Sequence, residues 1–337
     1  MFVSEFSPTG GDSARKLAHG SRIAGSTNPN RRRNPSWSTM MTASSTTTNS
    51  TLPRRILARL LREKREAAGV SVEAARRAIG VSKQTFWRME TGQPTRINPL
   101  FISHLAQMYR VDEEDAEVLL GLTEETQAKG WWHAFSEAIP KHFDLYVGLE
   151  DAAKRFSSYH TMLLPGLLQT VDYRREVIWA EFPGMPTSEV DLRLELHDRR
   201  LERLHSATNP LELNVMLDES VLRRRIGSPE IMSEQLGHLV AADQLPNVTV
   251  RVVPLDARRH KGVVTGHFVI LEFPRHPTAN LTDPPVVYIQ GFTGALYLEK
   301  RDEFEHYRDA YADLRRVALD EAGSRQRIQE IAEEWAR

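Results

Sequence analysis

The chain has 337 residues, of which 40% are hydrophobic and 26% charged, and its net charge at pH 7 is −1. No apolar run approaches the ~18 residues of a transmembrane helix, and the first residues contain no apolar segment of the length that a signal peptide needs. Because the sequence contains no cysteine, disulfides, thiolate catalysis and cysteine-based zinc sites are excluded, and we expect a cytoplasmic protein.

The charge is distributed unevenly along the chain. Residues 1–53 carry a net charge of +4 and residues 54–110 a net charge of +8, whereas residues 111–337 carry −13. A basic N-terminal part on an acidic body indicates an anionic partner for the first part only. A chance asymmetry of the surface is the alternative.

Residues 1–50 are rich in Ser, Thr, Asn, Gly and Pro and have no periodic apolar pattern. We therefore predict a disordered N-terminal tail. The run Arg31-Arg32-Arg33 is interpreted as charge on this tail, with contact to nucleic acid as the alternative. Met40 and Met41 leave open a natural start at that point.

Residues 51–122 predict a domain of five short helices. Leu57, Leu60 and Leu61 lie on one face of the first helix, which is expected to end near Gly69. Two further helices begin after the N-cap residues Ser71 and Ser82. Apolar stripes then predict a fourth helix and a fifth, which starts at Asp112 and has acidic residues in its first turn.

The third helix, predicted over 83–91, has two different faces. Val81 and Phe86 occupy the positions of a hydrophobic staple, and Gly92 suits the left-handed residue that ends a helix. Phe86 and Met89 are three residues apart and face inward. The opposite face has two cations, an amide and a broad ring, namely Lys83, Gln84, Trp87 and Arg88.

Such a face matches the chemistry of the DNA major groove. There Gln pairs with adenine, Lys and Arg bind guanine or phosphate, and an apolar surface contacts a thymine methyl group. A solvated face of an ordinary helical bundle is the alternative, but such a face seldom needs an indole. Packing of Trp87 against the first or fourth helix is a further alternative.

The segment SVEAARRAIGVSKQTFWRMETG, residues 71–92, resembles the helix-turn-helix of the lambda-repressor-like, xenobiotic-response-element (XRE) family. The matching residues are Ser71, Ala75, Ile79, Gly80, Val81, Ser82, Arg88, Glu90 and Gly92. Two positions differ, because the family often has Gln in place of Val72 and a small residue in place of Trp87. We predict DNA contacts by Ser71, Ser82, Lys83, Gln84, Thr85, Trp87 and Arg88.

From about residue 130 the sequence mixes helical and strand-like segments. Helices are predicted near 144–160, 171–181, 187–207, 228–243 and 302–320, and strands near 211–217, 248–255, 268–273 and 286–290. The predicted fold class is an all-α helix-turn-helix domain of five short helices over 51–122, followed by an α+β domain over 125–337 with a mainly antiparallel sheet.

Five segments of this second domain resemble the large C-terminal domain of actinobacterial antitoxin-like transcriptional regulators. They are GWWHAF (130–135), LEDAAKRFSSYHTMLLPGLLQT (149–170), LDESVLRRRIG (217–227), QLGHL (235–239) and NVTVRVVPL (247–255). Two positions differ from the pattern, at HDRRL (197–201) and at Gln290. The resemblance implies a regulator that binds double-stranded DNA through its first domain and a small partner protein through its second.

The sequence contains no nucleophile elbow, P-loop, HExxH zinc motif or dinucleotide fingerprint. We therefore expect no enzyme activity, cofactor or metal. The candidate metal ligands are His260, His267 and His276. The candidate acid–base residues are Asp218 and Glu219, and the candidate pocket residues are Trp131 and Trp132. We interpret all of them as structural residues. The alternatives are a small-molecule- or metal-sensing regulator, a cofactor-binding, enzyme-like domain with a DNA-binding head, and a scaffold that no longer binds DNA.

A homodimer on a near-palindromic site is expected, because one short reading helix contacts only a few base pairs. The apolar stripe of Val190, Leu194, Leu201 and Leu204 offers part of an interface, with packing inside the chain as the alternative.

Overall fold

The structure is a computed structural model, and it describes residues 51–127, 130–135, 143–292 and 294–337. The predictions for residues 1–50, including a start at Met40 or Met41, lie outside the described residues. None of the described helices is long and apolar enough to span a membrane.

Five helices make up the first part of the described chain, which we call the head. They are α1 (Thr51–Ala67), α2 (Val72–Ala78), α3 (Lys83–Glu90), α4 (Pro99–Met108) and α5 (Glu113–Glu125). Leu57, Leu61, Phe86 and Ile102 are among the buried side chains of one shared apolar core. The predicted five-helix head is confirmed.

The rest of the chain, which we call the body, contains six strands. They are β1 (Arg155–His160), β2 (Glu212–Asp218), β3 (Val248–Val253), β4 (Phe268–Glu272), β5 (Val286–Gln290) and β6 (Ala295–Leu298). The body helices are α6 (Asp144–Ala152), α7 (Val171–Glu181), α8 (Thr187–Leu201), α9 (Glu219–Arg223), α10 (Pro229–Ala242), α11 (Gly262–Thr265), α12 (Arg301–Val317) and α13 (Glu321–Trp335).

The strands form one mixed sheet in the order β3-β2-β1-β4-β5-β6. β1 pairs parallel with β2, and β2 parallel with β3. The pairs β1–β4, β4–β5 and β5–β6 are antiparallel. The predicted α+β class with a mainly antiparallel sheet is confirmed. The sequence did not predict the two parallel strand pairs, β1–β2 and β2–β3.

The helix predicted over 144–160 is wrong in its second half. α6 ends at Ala152, and residues 155–160 form β1 in the middle of the sheet. Phe156 belongs to the core on one face of the sheet, whereas Tyr159 belongs to the core on the other. Because both faces of β1 are covered, its sequence does not alternate between apolar and polar residues as a half-exposed strand does.

The head contacts the body through α1. Leu52 packs against the core of the head and against the main core of the body, and Leu281 of the body packs against the core of the head. The described residues of the head and the body belong to one compact unit. The boundary predicted between residues 122 and 125 stays a prediction.

Candidate nucleic-acid interface

Serine caps and a glycine turn set the geometry of α2 and α3. Ser71 Oγ accepts a hydrogen bond from Ala74 N at 3.1 Å, and Ser82 Oγ accepts one from Thr85 N at 3.0 Å. Gly80 has a φ of +68° between the two helices, a conformation that glycine adopts without steric cost. The α2–α3 turn is therefore fixed by local hydrogen bonds and backbone geometry.

The inner face of α3 is anchored in the head core. Phe86 and Met89 are each 1% exposed, and Ala75 of α2 is completely buried. Val81 packs against the same core as Phe86, as the predicted hydrophobic staple requires. The outer face of α3 is consequently held in one orientation.

The outer face of α3 presents the predicted reading side chains to solvent. Lys83, Gln84 and Arg88 are exposed, and 54% of the surface of Trp87 is accessible. The structure therefore does not bury Trp87 between helices. Thr85 is half-buried, and its hydroxyl lies 2.9 Å from Ser82 Oγ, so its side chain supports the cap.

A buried ion pair fastens the end of α3 to α1. Arg65 donates from Nε to Glu90 Oε1 at 2.6 Å and from Nη2 to Glu90 Oε2 at 3.1 Å, and both residues are 8% exposed. The hydrogen bond to Glu90 raises the pKa of Arg65 above its usual value, although burial lowers it. The guanidinium therefore stays charged in the fold.

Carboxylates of the same chain neutralise much of the positive charge of the head. The cations with carboxylate partners are Arg55, Arg59, Lys64, Arg65, Arg76 and Arg77. Within residues 54–110, the exposed cations whose side chains have no ion pair or hydrogen bond are Arg62, Lys83, Arg88, Arg96 and Arg110. The two cations of α3 are thus available to an external anion.

The candidate acid–base residues of the body have structural roles, and its candidate metal ligands do not form a metal-binding group. Glu219 is 3% exposed and accepts hydrogen bonds from Arg223 at 3.0 Å and from Arg327 at 3.3 Å. Asp218 caps α9 through Ser220 N. Among the described residues, no group of three or more His, Asp or Glu side chains is arranged to hold a metal ion.

A small open groove lies beside α6 and the short helix Trp131–Phe135. It is lined by Trp131, Val147, Glu150, Asp151, Arg200, Arg203 and Leu211. Trp131 Nε1 donates to Asp151 at 3.0 Å, while Trp132 is 2% exposed in the core. The paired indoles therefore have different roles, since one lines the groove and the other fills the core.

The comparison with known families assigns both parts of the chain. A family model described as "Domain of unknown function (DUF5753)" matches residues 143–330, more than half of the chain. The chain belongs to the DUF5753 family. A second model, described as "Helix-turn-helix domain", matches residues 56–119, from α1 into α5. The DUF5753 protein therefore carries a helix-turn-helix head, which indicates a DNA-binding regulator.

No curated protein and no solved structure matches the DUF5753 protein. The family matches confirm the prediction of a helix-turn-helix regulator whose C-terminal part belongs to a different domain family.

Two head residues that hold the reading helix in place were missed by sequence reasoning, namely Arg55 and Arg65. Arg65 lies four residues after Leu61, on the apolar stripe of α1, and a cation at a core position signals a buried partner. The chain offers no comparable signal for Arg55, because its partners Asp283 and Glu299 lie in the distant body.

Proposed function

We propose that the DUF5753 protein is a sequence-specific transcriptional regulator of the XRE type that inserts α3 into the DNA major groove. The supporting observation is the exposed, unpaired outer face of α3 on a helix fixed by Ser82 and by the Arg65–Glu90 pair. In this arrangement Gln84 reads adenine, Lys83 binds guanine or phosphate, Arg88 binds phosphate and Trp87 contacts a thymine methyl group. Ser71 and Ser82 hold the two helix starts against the DNA backbone.

The body leaves the reading face accessible. Arg55 and Arg59 of α1 bind residues of the body. Lys83, Gln84 and Arg88 stay exposed with the whole described chain in place. These observations argue against direct masking of the reading helix by the acidic body.

Replacing Gln84 with Ala is expected to reduce discrimination at one base position by about 1–3 kcal/mol and to leave binding to random duplex nearly unchanged. The full chain would first select its preferred duplex from a randomised library, and the affinities of both variants for selected and random duplexes would then be measured. Gln107→Ala on α4 is the matched control, because Gln107 is an exposed glutamine of the same head outside α3. Equal losses on both duplexes would show that Gln84 does not read a base.

The DNA-bound form is proposed to be a homodimer whose half-sites lie about 10 base pairs apart or a multiple of that. The stripe considered for the interface packs inside the chain, since Val190 is completely buried and Leu194 and Leu204 are 6% and 4% exposed. The interface therefore lies elsewhere on the protein. Light scattering at micromolar concentration should give twice the chain mass, and a monomer both free and on DNA would contradict this proposal.

The proposed regulatory partner is a small protein that binds the body. Four apolar side chains are more than half exposed near one edge of the sheet, namely Met162, Leu255, Val263 and Val264, with exposures of 57, 60, 76 and 84%. Met162 follows the carboxyl end of β1, Leu255 follows that of β3, and Val263 and Val264 precede β4. The strand register places these three strand ends on the same side of the sheet, which we call the apolar edge. Exposed apolar clusters of this kind mark binding surfaces.

The charges around this apolar edge indicate the chemistry of the partner. Arg258, Arg259 and Lys261 are exposed next to it, although residues 111–337 as a whole carry −13. An acidic segment with apolar side chains complements the edge, whereas an extended anionic surface would also meet the acidic remainder of the body. In this proposal the body binds a partner and does not catalyse a reaction.

The double variant Val263→Asp with Val264→Asp is expected to lower affinity for the partner at least about tenfold, because it places two charges in an apolar contact. The full chain would be titrated by calorimetry against the protein product of each adjacent small gene. Phe292→Asp is the control, since Phe292 is 100% exposed on the β5–β6 turn. If no product binds and a small molecule raises the melting temperature, the sensor function replaces the partner-protein function.

The groove beside Trp131 is the observation that favours the sensor function. It is lined by the acidic residues Glu150 and Asp151 and by the basic residues Arg200 and Arg203.

A further inference from the structure

Arg55 is a cation of the head whose side chain is buried in the body. Its Nε donates to Asp283 Oδ2 at 2.5 Å and its Nη1 donates to Glu299 Oε1 at 2.5 Å. The side chains of Arg55 and Asp283 are 7% and 2% exposed, and that of Glu299 is 50% exposed. The ring of Phe273 lies 5.7 Å from the guanidinium carbon. Arg55 is therefore held by the body on several sides.

The body segment 280–283 also contacts α1 one turn further along. Arg59 Nη2 donates to the carbonyl oxygen of Asn280 at 2.7 Å and to that of Thr282 at 3.3 Å. Leu281 packs against the core of the head. Two consecutive turns of α1 are thus fixed to one segment of the body, which defines the rotation of α1 as well as its position.

The backbone of Arg55 lies close to Gly92, two residues after the end of α3. Gly92 is buried beside α1, and a Cβ atom on it would lie only 3.2 Å from Arg55 Cα. Its φ of +67° also favours glycine. The same residue of α1 therefore contacts the body with its side chain and the end of the α3 segment with its backbone.

We propose that Arg55 is a positioning residue for DNA reading, which transmits the placement of the body to α3. This inference rests on the proposed function as a dimeric DNA-binding regulator. In a dimer whose subunits associate through their bodies, the separation of the two reading helices depends on how rigidly each head is attached to its body. The contacts of Arg55 with Asp283 and Glu299 make that attachment rigid, so they restrict which half-site spacing the protein accepts.

The first test measures spacing preference with the full chain. Duplexes with the two selected half-sites at the preferred spacing, or separated by one or two additional base pairs, would be compared for wild type and Asp283→Asn. Asp283→Asn removes one charge with little change of shape, and it is expected to reduce discrimination between spacings about fivefold or more. Affinity for a single half-site should stay within about twofold of wild type.

A merely structural role of Asp283 would give a different result. It would weaken binding to all duplexes by the same factor, because fewer molecules would be folded, and the spacing preference would not change. Glu305→Gln is the matched control, since Glu305 pairs with Arg301 on the exposed surface of α12 at 3.1 Å. Arg55→Lys keeps the charge and should retain more of the spacing preference than Arg55→Met.

The second test needs no DNA and separates this inference from the proposed function. Because the chain contains no cysteine, spin labels can be attached at Gln107→Cys in the head and at Arg308→Cys in the body, both exposed positions. The distribution of label distances should be narrow in the otherwise unchanged chain and should broaden with Asp283→Asn. If Asp283→Asn does not fold, Glu299→Gln at the half-exposed partner serves instead.

Unchanged distance distributions and unchanged spacing preference would overturn the role of Arg55. A broadened distribution in a protein that binds no duplex would support the attachment by Arg55 and would contradict the proposed function alone.

Discussion

Replacing Glu90 with Ala is expected to destabilise the head by about 3–5 kcal/mol and to weaken binding to every duplex. The change leaves the buried guanidinium of Arg65 without the two hydrogen bonds that it makes to Glu90, at 2.6 and 3.1 Å. Removing one partner of a buried pair leaves an uncompensated charge in a medium of low polarity. Local unfolding would then release the end of α3 from α1.

The matched control is Glu66→Ala, because Glu66 contacts the same guanidinium. Glu66 Oε1 lies 3.3 Å from Arg65 Nη2, but the side chain of Glu66 is 61% exposed. Loss of an exposed ion pair is expected to cost less than about 1 kcal/mol. Hydrogen exchange of peptides from residues 83–92 gives the local stability of each variant. Similar small effects of both substitutions would contradict the structural role of Glu90.

Local signals explain why the helix-turn-helix could be predicted from the sequence. The caps at Ser71 and Ser82 and the left-handed glycines Gly80 and Gly92 act within a few residues of the chain, and the structure shows each of them. The exposure of Lys83 and Gln84 follows equally from the helical period. Which of these side chains contact DNA stays a prediction.

The charge of the head is an example of what composition alone does not predict. The net charge of +8 over residues 54–110 suggested a broad basic surface. In the fold, Arg55 and Lys64 are paired with acidic residues from outside that range, namely Asp283, Glu299 and Asp115. The unpaired positive charge of the head is consequently smaller than the count suggests, and Lys83 and Arg88 of α3 carry part of it.

Strands buried on both faces were the main difficulty in the body. In β1 the buried residues Ser157 and Ser158 interrupt the apolar pattern, because the two serines lie inside a sheet covered on both sides. The sequence did not predict β6, because this edge strand has only four residues and its Leu296 is exposed. α13 was missed because its buried residues are few, namely Ser324, Ile328 and Ile331.

Replacing Arg200 with Met is expected to lower the free energy of unfolding of the body by about 3–5 kcal/mol. Arg200 donates from Nε and Nη2 to the two oxygens of Glu150 at 2.6 and 2.8 Å, and the side chains are 6% and 5% exposed. Burial alone would lower the pKa of Arg200, but the Glu150 carboxylate raises it. The pair is therefore charged, and loss of Arg200 leaves a buried carboxylate alone.

The neighbouring Arg199 provides the matched control. Its side chain is 45% exposed and lies 3.2 Å from Glu202, which is 63% exposed. Arg199→Met should cost less than about 1 kcal/mol, since exposed pairs contribute little. Urea unfolding of the full chain and hydrogen exchange of peptides from α6 and α8 would compare the two variants, which change adjacent arginines of α8, one exposed and one buried.

The double variant Glu150→Leu with Arg200→Met separates a structural pair from a ligand site. Apolar groups in place of both partners of a buried pair are often tolerated, because no charge is left without a partner. A structural pair therefore predicts that the double variant is more stable than Arg200→Met alone. If the groove beside Trp131 is a ligand site, Arg200→Met and the double variant should also lose the rise in melting temperature that the ligand causes in the wild type. A body that tolerates the double variant and still responds to the proposed partner protein would show that the charges of Glu150 and Arg200 serve the fold and not recognition.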